Sequence, residues 1–132
     1  MNRKKSREIA MKILYQMNIN KEDYKSVKEN LNEIIDEQEL KNVDFEYIDT
    51  IVNGVTEKQA ELDAKIEENL KNWKLNRISK LNLCILRLSI FEILYVEDIP
   101  NKVSINEAVQ LAKAYSEEKS HKFVNGILAR FL

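Results

Sequence analysis

Side chains able to break or make bonds are scarce in this 132-residue chain, and their spacing narrows the chemistry. Cys84 and His121 are its only cysteine and its only histidine. One cysteine forms no intrachain disulfide or cysteine-rich zinc site, and one histidine supports neither a multi-histidine metal centre nor an HExxH protease. Cys84 and His121 would make a thiolate–imidazole pair only if brought together, and Cys84 lies in the apolar run LCIL, where cysteine behaves as a small packing residue. No catalysis, metal or cofactor is therefore expected. What remains is charge. Residues 1–12 carry Arg3, Lys4, Lys5, Arg7 and Lys12 against Glu8, a net of +4, residues 22–49 sum to −7, and residues 71–87 carry Lys71, Lys74, Arg77, Lys80 and Arg87 with no acid. The overall charge of −1 conceals this alternation. Local positive potential, rather than net charge, captures phosphates, so the basic blocks are candidates for a polyanion site as well as for solvated helix faces.

The elements that must carry these charges are helices. Two glycines (Gly54 and Gly126) and one proline (Pro100) are too few for the turns of a sheet or for a phosphate loop, while 44% hydrophobic and 33% charged residues suit a globular all-helical chain. The length predicts one domain. The longest uncharged stretch, residues 13–20, is far short of the roughly 20 residues that cross a bilayer. The basic opening also lacks the apolar run of a signal peptide, so a cytoplasmic setting is expected.

Apolar spacing predicts about seven helices. Ile9, Ala10, Ile13, Leu14 and Met17 share one face of a first helix, which carries the basic head. Asn20 is a candidate N-cap for a second, with Tyr24, Val27, Leu31, Ile34 and Ile35 inward. Asp44 opens a third, with Phe45, Ile48, Ile51, Val52 and Val55 inward. Gly54 and the box Thr56 to Gln59 predict a break before Leu62, Ile66 and Leu70 continue. Trp73 is expected as a lid on a core. From Ser79, SKLNLCILRLSIFEILYV is apolar on nearly every side and belongs in the middle of a bundle. Arg87 and Glu92 lie within it, five apart and so on different faces, and each needs a partner from another element. Asn106, Glu107 and Asn125 are the candidates. The box Ser104 to Glu107 predicts a sixth helix with Ile105, Ala108, Val109, Ala112 and Tyr115 inward. Ser120 predicts a seventh, with Phe123, Val124, Ile127, Leu128 and Phe131 inward. Gly126 falls mid-helix, where close helix approach would explain it.

The stretches LRLSIFEIL, IPNKVSINEAVQLAKAYS and KSHKFVNGIL, together with the opening NRKKSREIAMKILYQ, resemble the NusB family of bacterial transcription antitermination factors over nearly the whole chain. The resemblance implies an all-α protein of two packed small helical bundles, about 1–55 and 56–132. It further implies a non-enzymatic factor that joins the ribosomal protein NusE, binds the single-stranded boxA element of ribosomal RNA leaders and acts in the RNA polymerase antitermination complex. A homodimer is a possible free state. Carried over by position, the RNA surface is Arg3, Lys4, Lys5 and Arg7 on the first helix with Lys122 and Phe123 on the last, the two helices lying side by side. Cations hold phosphates and an aromatic ring stacks unpaired bases. Lys119 stands where a relative carries an acid, and is added as an RNA residue. The partner-protein surface falls near Asn82 and Asn101. Two other readings are an accessory RNA-recognition domain of a ribosomal RNA cytosine methyltransferase and a helical protein that homodimerises. The methyltransferase reading is disfavoured by the lack of a Gly-rich methyl-donor fold and of a catalytic cysteine motif.

Overall fold

The computed structural model describes residues 2–71 and 74–132. Trp73, the expected lid, lies outside the described residues. The described residues form seven α-helices: α1 (Arg3–Asn20), α2 (Tyr24–Glu29), α3 (Phe45–Glu57), α4 (Gln59–Glu68), α5 (Lys80–Tyr95), α6 (Asn101–Tyr115) and α7 (Ser120–Leu128). Short 3₁₀ turns occupy Leu31–Glu33, Glu37–Leu40, Leu75–Arg77 and Ala129–Phe131, and the described residues form no strand. Contacts cluster into two compact units, Met1–Gly54 and Val55–Leu132.

In the first unit, α1 buries Ile9, Ala10, Met11, Ile13 and Leu14, as its apolar spacing demands, while Met17 stays half-exposed. Asn2 caps it, its side chain accepting from the Lys5 N–H at 2.9 Å. Asn20 does not begin α2. It closes α1, followed by Lys21 in the left-handed conformation (φ 52°), and Asp23 caps α2 by accepting from the Ser26 N–H at 2.8 Å. α2 is only six residues long. The acidic stretch after it folds as two 3₁₀ turns, with Leu31, Ile35 and Val43 anchored inside. On α3, Ile48, Ile51 and Val52 are buried, whereas Phe45 is 40% exposed and Tyr47 takes an inward place at 5%.

The break after α3 falls at Lys58, inside the Thr56–Glu–Lys–Gln59 box, and no side chain caps α4 there. In the second unit α5 is central, buried continuously from Asn82 to Glu92 and packed against α4, α6 and α7. Of its two charges, Glu92 finds a partner on α6, one of the two helices expected to supply them, and Arg87 finds one elsewhere, on α4. Arg87 forms a bidentate pair with Asp63 of α4, Nε to Oδ1 at 2.7 Å and Nη2 to Oδ2 at 2.9 Å. Asn106 and Asn125 are exposed instead. Glu92 is fully buried and accepts from the Ser104 hydroxyl at 2.7 Å.

Ser104 therefore does not cap α6. That helix begins one turn earlier behind Pro100, whose fixed φ and missing N–H suit a helix start, and Glu107 lies in its interior. Ser120 likewise does not cap α7 but is its first residue, with its hydroxyl turned to Asn82. Tyr115 is 40% exposed rather than inward. Gly126 is exposed, and a β-carbon there would meet nothing within 4 Å, so no close helix approach requires it.

Candidate nucleic-acid interface

The basic head of α1 is held by the loop that precedes α3. Ser6 Oγ donates to the Asn2 carbonyl at 2.7 Å and accepts from the Asp44 N–H at 2.8 Å, while the Asn2 N–H reaches the Asn42 carbonyl at 3.0 Å. This latch brings Asp44 and Tyr47 beside the head's arginines. The Arg3 guanidinium lies 4.4 Å from the Tyr47 ring centroid and 3.7 Å from Asp44 Oδ2. Arg7 is only 3% exposed, its guanidinium 5.7 Å from the same ring. Placed on the RNA surface by the resemblance, Arg7 is in fact a buried structural cation.

Lys5 is engaged as well. Its ammonium donates to Glu39 at 2.9 Å and to Glu8 at 3.1 Å, and Lys12 stands 3.6 Å from Glu8 and 3.9 Å from Glu39. The hydrogen bonds to Glu39 and then Glu8 raise the Lys5 pKa, and the Lys5 bond, with Lys12 nearby, lowers that of Glu39. Glu39 sits on the 3₁₀ turn Glu37–Leu40, so the acidic stretch neutralises the basic one. Lys4 is exposed and has no partner among the described residues. A phosphate reaching Lys5 must displace a carboxylate, whereas Lys4 is open.

The second unit places Lys119 and Lys122 exposed and Phe123 half-buried around the start of α7. Lys119, Ser120 and Phe123 line a cavity of about 440 Å³ with Arg77, Ser79 and Asn82. Asn82 is 7% exposed and clasps the turn before α7, its Nδ2 donating to Ser120 Oγ at 3.0 Å and its Oδ1 accepting from the Ser116 hydroxyl at 2.7 Å. It is a structural clasp rather than the open partner surface expected of it. Asn101 is exposed at the start of α6, with its amide donating to the Phe131 carbonyl at 2.9 Å. Sequence reasoning included Arg77 only as one member of a basic block and passed over Ser79. Nothing local marked them, since the cavity forms from segments some forty residues apart.

Cys84 is 2% exposed, and the His121 ring contacts the Glu118 carbonyl through Nδ1 at 3.1 Å. Among the described residues, no cluster of histidine, cysteine and carboxylates could hold a metal, and no helix is long and apolar enough to cross a membrane.

Comparison with known proteins agrees with this architecture. The NusB family model matches residues 4–132. Transcription antitermination protein NusB of Clostridium novyi (strain NT) is 54% identical over the whole chain and 98% of its own length. The protein of the same name from Clostridium acetobutylicum is 49% identical, over the whole chain and 96% of its own length. The solved structure of T. maritima NusB superposes with a TM-score of 0.86 at 36% identity, covering 99% of this chain and 90% of that one. A crystal structure of antitermination factors NusB and NusE in complex with dsRNA gives a TM-score of 0.84 at 28% identity, covering 98% of this chain and 94% of that one. A match that runs from the basic head to the last residue, with relatives at half identity over their full length, means that this chain belongs to the NusB family.

Proposed function

We propose that this protein is an RNA-binding antitermination factor without turnover. It holds boxA-bearing single-stranded leader RNA of ribosomal transcripts together with NusE, so that RNA polymerase in the antitermination complex passes terminators. Its place of action is the cytoplasm. The observation that carries this reading is the shared fold with a NusB captured alongside NusE and RNA, over 98% of the present chain. The chain's own residues support it. Lys4, Lys119 and Lys122 are exposed cations for phosphates, and Phe123, half-buried at the start of α7, supplies an aromatic ring against which a base can stack. Arg3 and Lys5 join by exchanging a carboxylate for a phosphate. Asn101, exposed at the start of α6, offers an amide to NusE.

Linked binding makes two modest affinities reinforce one another, so NusE tightens RNA binding and RNA tightens NusE binding by the same factor. Anisotropy titrations of a labelled U-rich single-stranded RNA, against a scrambled one and with or without NusE, test this. Preference for the U-rich strand, strengthened by NusE, is expected; equal affinity with and without NusE removes the bridging role.

A further inference from the structure

We infer that the acidic turn between Ile35 and Val43 is an autoinhibitory strap over the basic head of α1: Glu39 holds the place on Lys5 and Lys12 that an RNA phosphate takes, so RNA binds the head by lifting the strap. This inference rests on the RNA-binding reading and adds to it a competitor carried within the same chain. Lys5, Glu8 and Lys12 stand three and four positions apart and so share one face of α1. Glu39 comes to that face from a position 34 residues beyond Lys5. Its Oε1 lies 2.9 Å from the Lys5 ammonium and 3.9 Å from that of Lys12, a single anionic oxygen between two cations. A phosphodiester oxygen makes the same charge-assisted contact, and the two anions cannot occupy it together.

The ends of the strap are fastened and its middle is not. Ile35 is 2% exposed and Val43 7%, and at the far end the Asn42 carbonyl accepts from the Asn2 N–H while the Asp44 N–H donates to Ser6 Oγ. Between these anchors, residues 36–41 bury no side chain. Their backbone bonds are local, from the Glu39 N–H to the Asp36 carbonyl at 2.9 Å and from the Lys41 N–H to the Gln38 carbonyl at 3.4 Å. Among the described residues, Glu39 alone of these six makes a hydrogen bond or ion pair outside the segment. Lifting the middle therefore breaks one half-exposed ion-pair cluster and opens no core. Asp44 behaves differently, because its carboxylate also accepts from the Tyr47 N–H at 3.0 Å at the start of α3, so it stays in place when Glu39 leaves. RNA affinity is lowered by the fraction of molecules whose strap is closed, and the small strength of solvent-exposed ion pairs sets that inhibition at about two- to fivefold.

The test compares wild type, Glu39→Gln and Glu37→Gln by anisotropy with a U-rich single strand at low salt. Glu37 is exposed on the same turn and pairs with no cation among the described residues, so its variant removes the same charge without loosening the strap. Neither carboxylate is buried, so both variants keep the fold, which melting curves check. Glu39→Gln is expected to bind about two- to fivefold tighter and Glu37→Gln to change little. The Glu39→Gln gain is expected to shrink in a Lys5→Ala background, where its nearer cation is missing. In parallel, RNA added to isotope-labelled wild type is expected to lower the heteronuclear NOEs of the amides from Gln38 to Lys41 as the strap comes away. Equal gains from Glu37→Gln and Glu39→Gln reduce the effect to general acidic repulsion and overturn the strap. A gain undiminished by Lys5→Ala does the same, as does saturation with RNA that leaves the strap amides as rigid as before. Wild-type affinity in Glu39→Gln also overturns it and leaves the RNA reading standing. If neither wild type nor Glu39→Gln binds any single strand, the RNA reading falls and the strap falls with it.

Discussion

The bidentate pair between Arg87 and Asp63 ties α5 to α4, and removing one member tests whether it holds the second unit together. The two side chains are 10% and 17% exposed, so each has given up most of its water for the other. Truncating one member of such a pair leaves the other charge buried and unpaired, at a cost of about 3–5 kcal/mol. The residual exposure of Asp63 lets water reach its carboxylate after Arg87→Ala, which places the loss near about 3 kcal/mol. Unfolding entropy of about 2.1 cal/mol/K per residue gives about 0.28 kcal/mol/K over 132 residues, so Tm falls by about 11 °C if the chain melts as one. If Val55–Leu132 melts by itself, the entropy is about 0.16 kcal/mol/K and the fall becomes about 18 °C. Calorimetry of Arg87→Ala, Asp63→Ala and the double variant measures both the fall and the coupling. The double variant is expected to be no worse than either single one, because it leaves no orphan charge. Single variants within 3 °C of wild type, or losses that simply add, would refute a buried, mutually dependent pair.

Gly126→Ala is expected to raise stability by about 0.8–1.0 kcal/mol, since alanine has less backbone freedom to lose from the unfolded chain and its methyl meets open space; thermal melting checks it. Lys4→Ala is expected to leave Tm unchanged and flatten the salt slope of RNA binding by about 0.7, whereas Arg7→Ala lowers Tm through its buried guanidinium; paired melts and salt titrations separate them. Glu39→Gln, by leaving Lys5 only one of its two carboxylates, Glu8, is expected to tighten RNA binding at low salt and to lose that advantage in 0.5 M salt, where anisotropy can follow both limits. Burial pushes the Asp49 carboxyl up, but hydrogen bonds from Tyr24 and Lys28 outweigh it and hold its pKa below the usual value. A depressed carboxyl stabilises the fold above its unfolded pKa of about 4 and stops doing so as pH falls through the folded value. The Tm difference between wild type and Asp49→Asn should therefore be present at pH 7 and fade below pH 4.

Much of this architecture was legible in the residues. Near-absence of glycine and proline and the apolar spacing pointed to seven helices, and the all-round apolarity of residues 81–94 marked α5 as central. What escaped was set by contacts across the chain. Arg87 and Asp63 are 24 positions apart, and no local pattern links them. Ser104 and Ser120 carry the spacing of helix caps, yet both hydroxyls turn inward, to Glu92 and Asn82, because an inward-facing hydroxyl also satisfies a buried polar group. The alternation of a basic head with an acidic middle is visible in the sequence, and it suits solvated helix faces as well as a polyanion site. Its pairing through Glu39 and Asp44 shows that part of that charge is spent within the fold. The cavity beside Phe123 could not be read from any one segment, since its walls come from the approach to α5 and the turn before α7.

The burial of α5 on all sides also bears on how the chain comes off the ribosome. A helix hydrophobic around its circumference has no face to offer water, and two of the helices packed against it, α6 and α7, lie downstream of it. The 33 residues that follow Tyr95 up to Leu128 take about 2–7 s to synthesise at about 5–20 residues per second, and for that interval α5 lacks its cover from α6 and α7. Nascent chains halted between α5 and α6 should therefore recruit holding chaperones, and chains halted beyond Leu128 should release them.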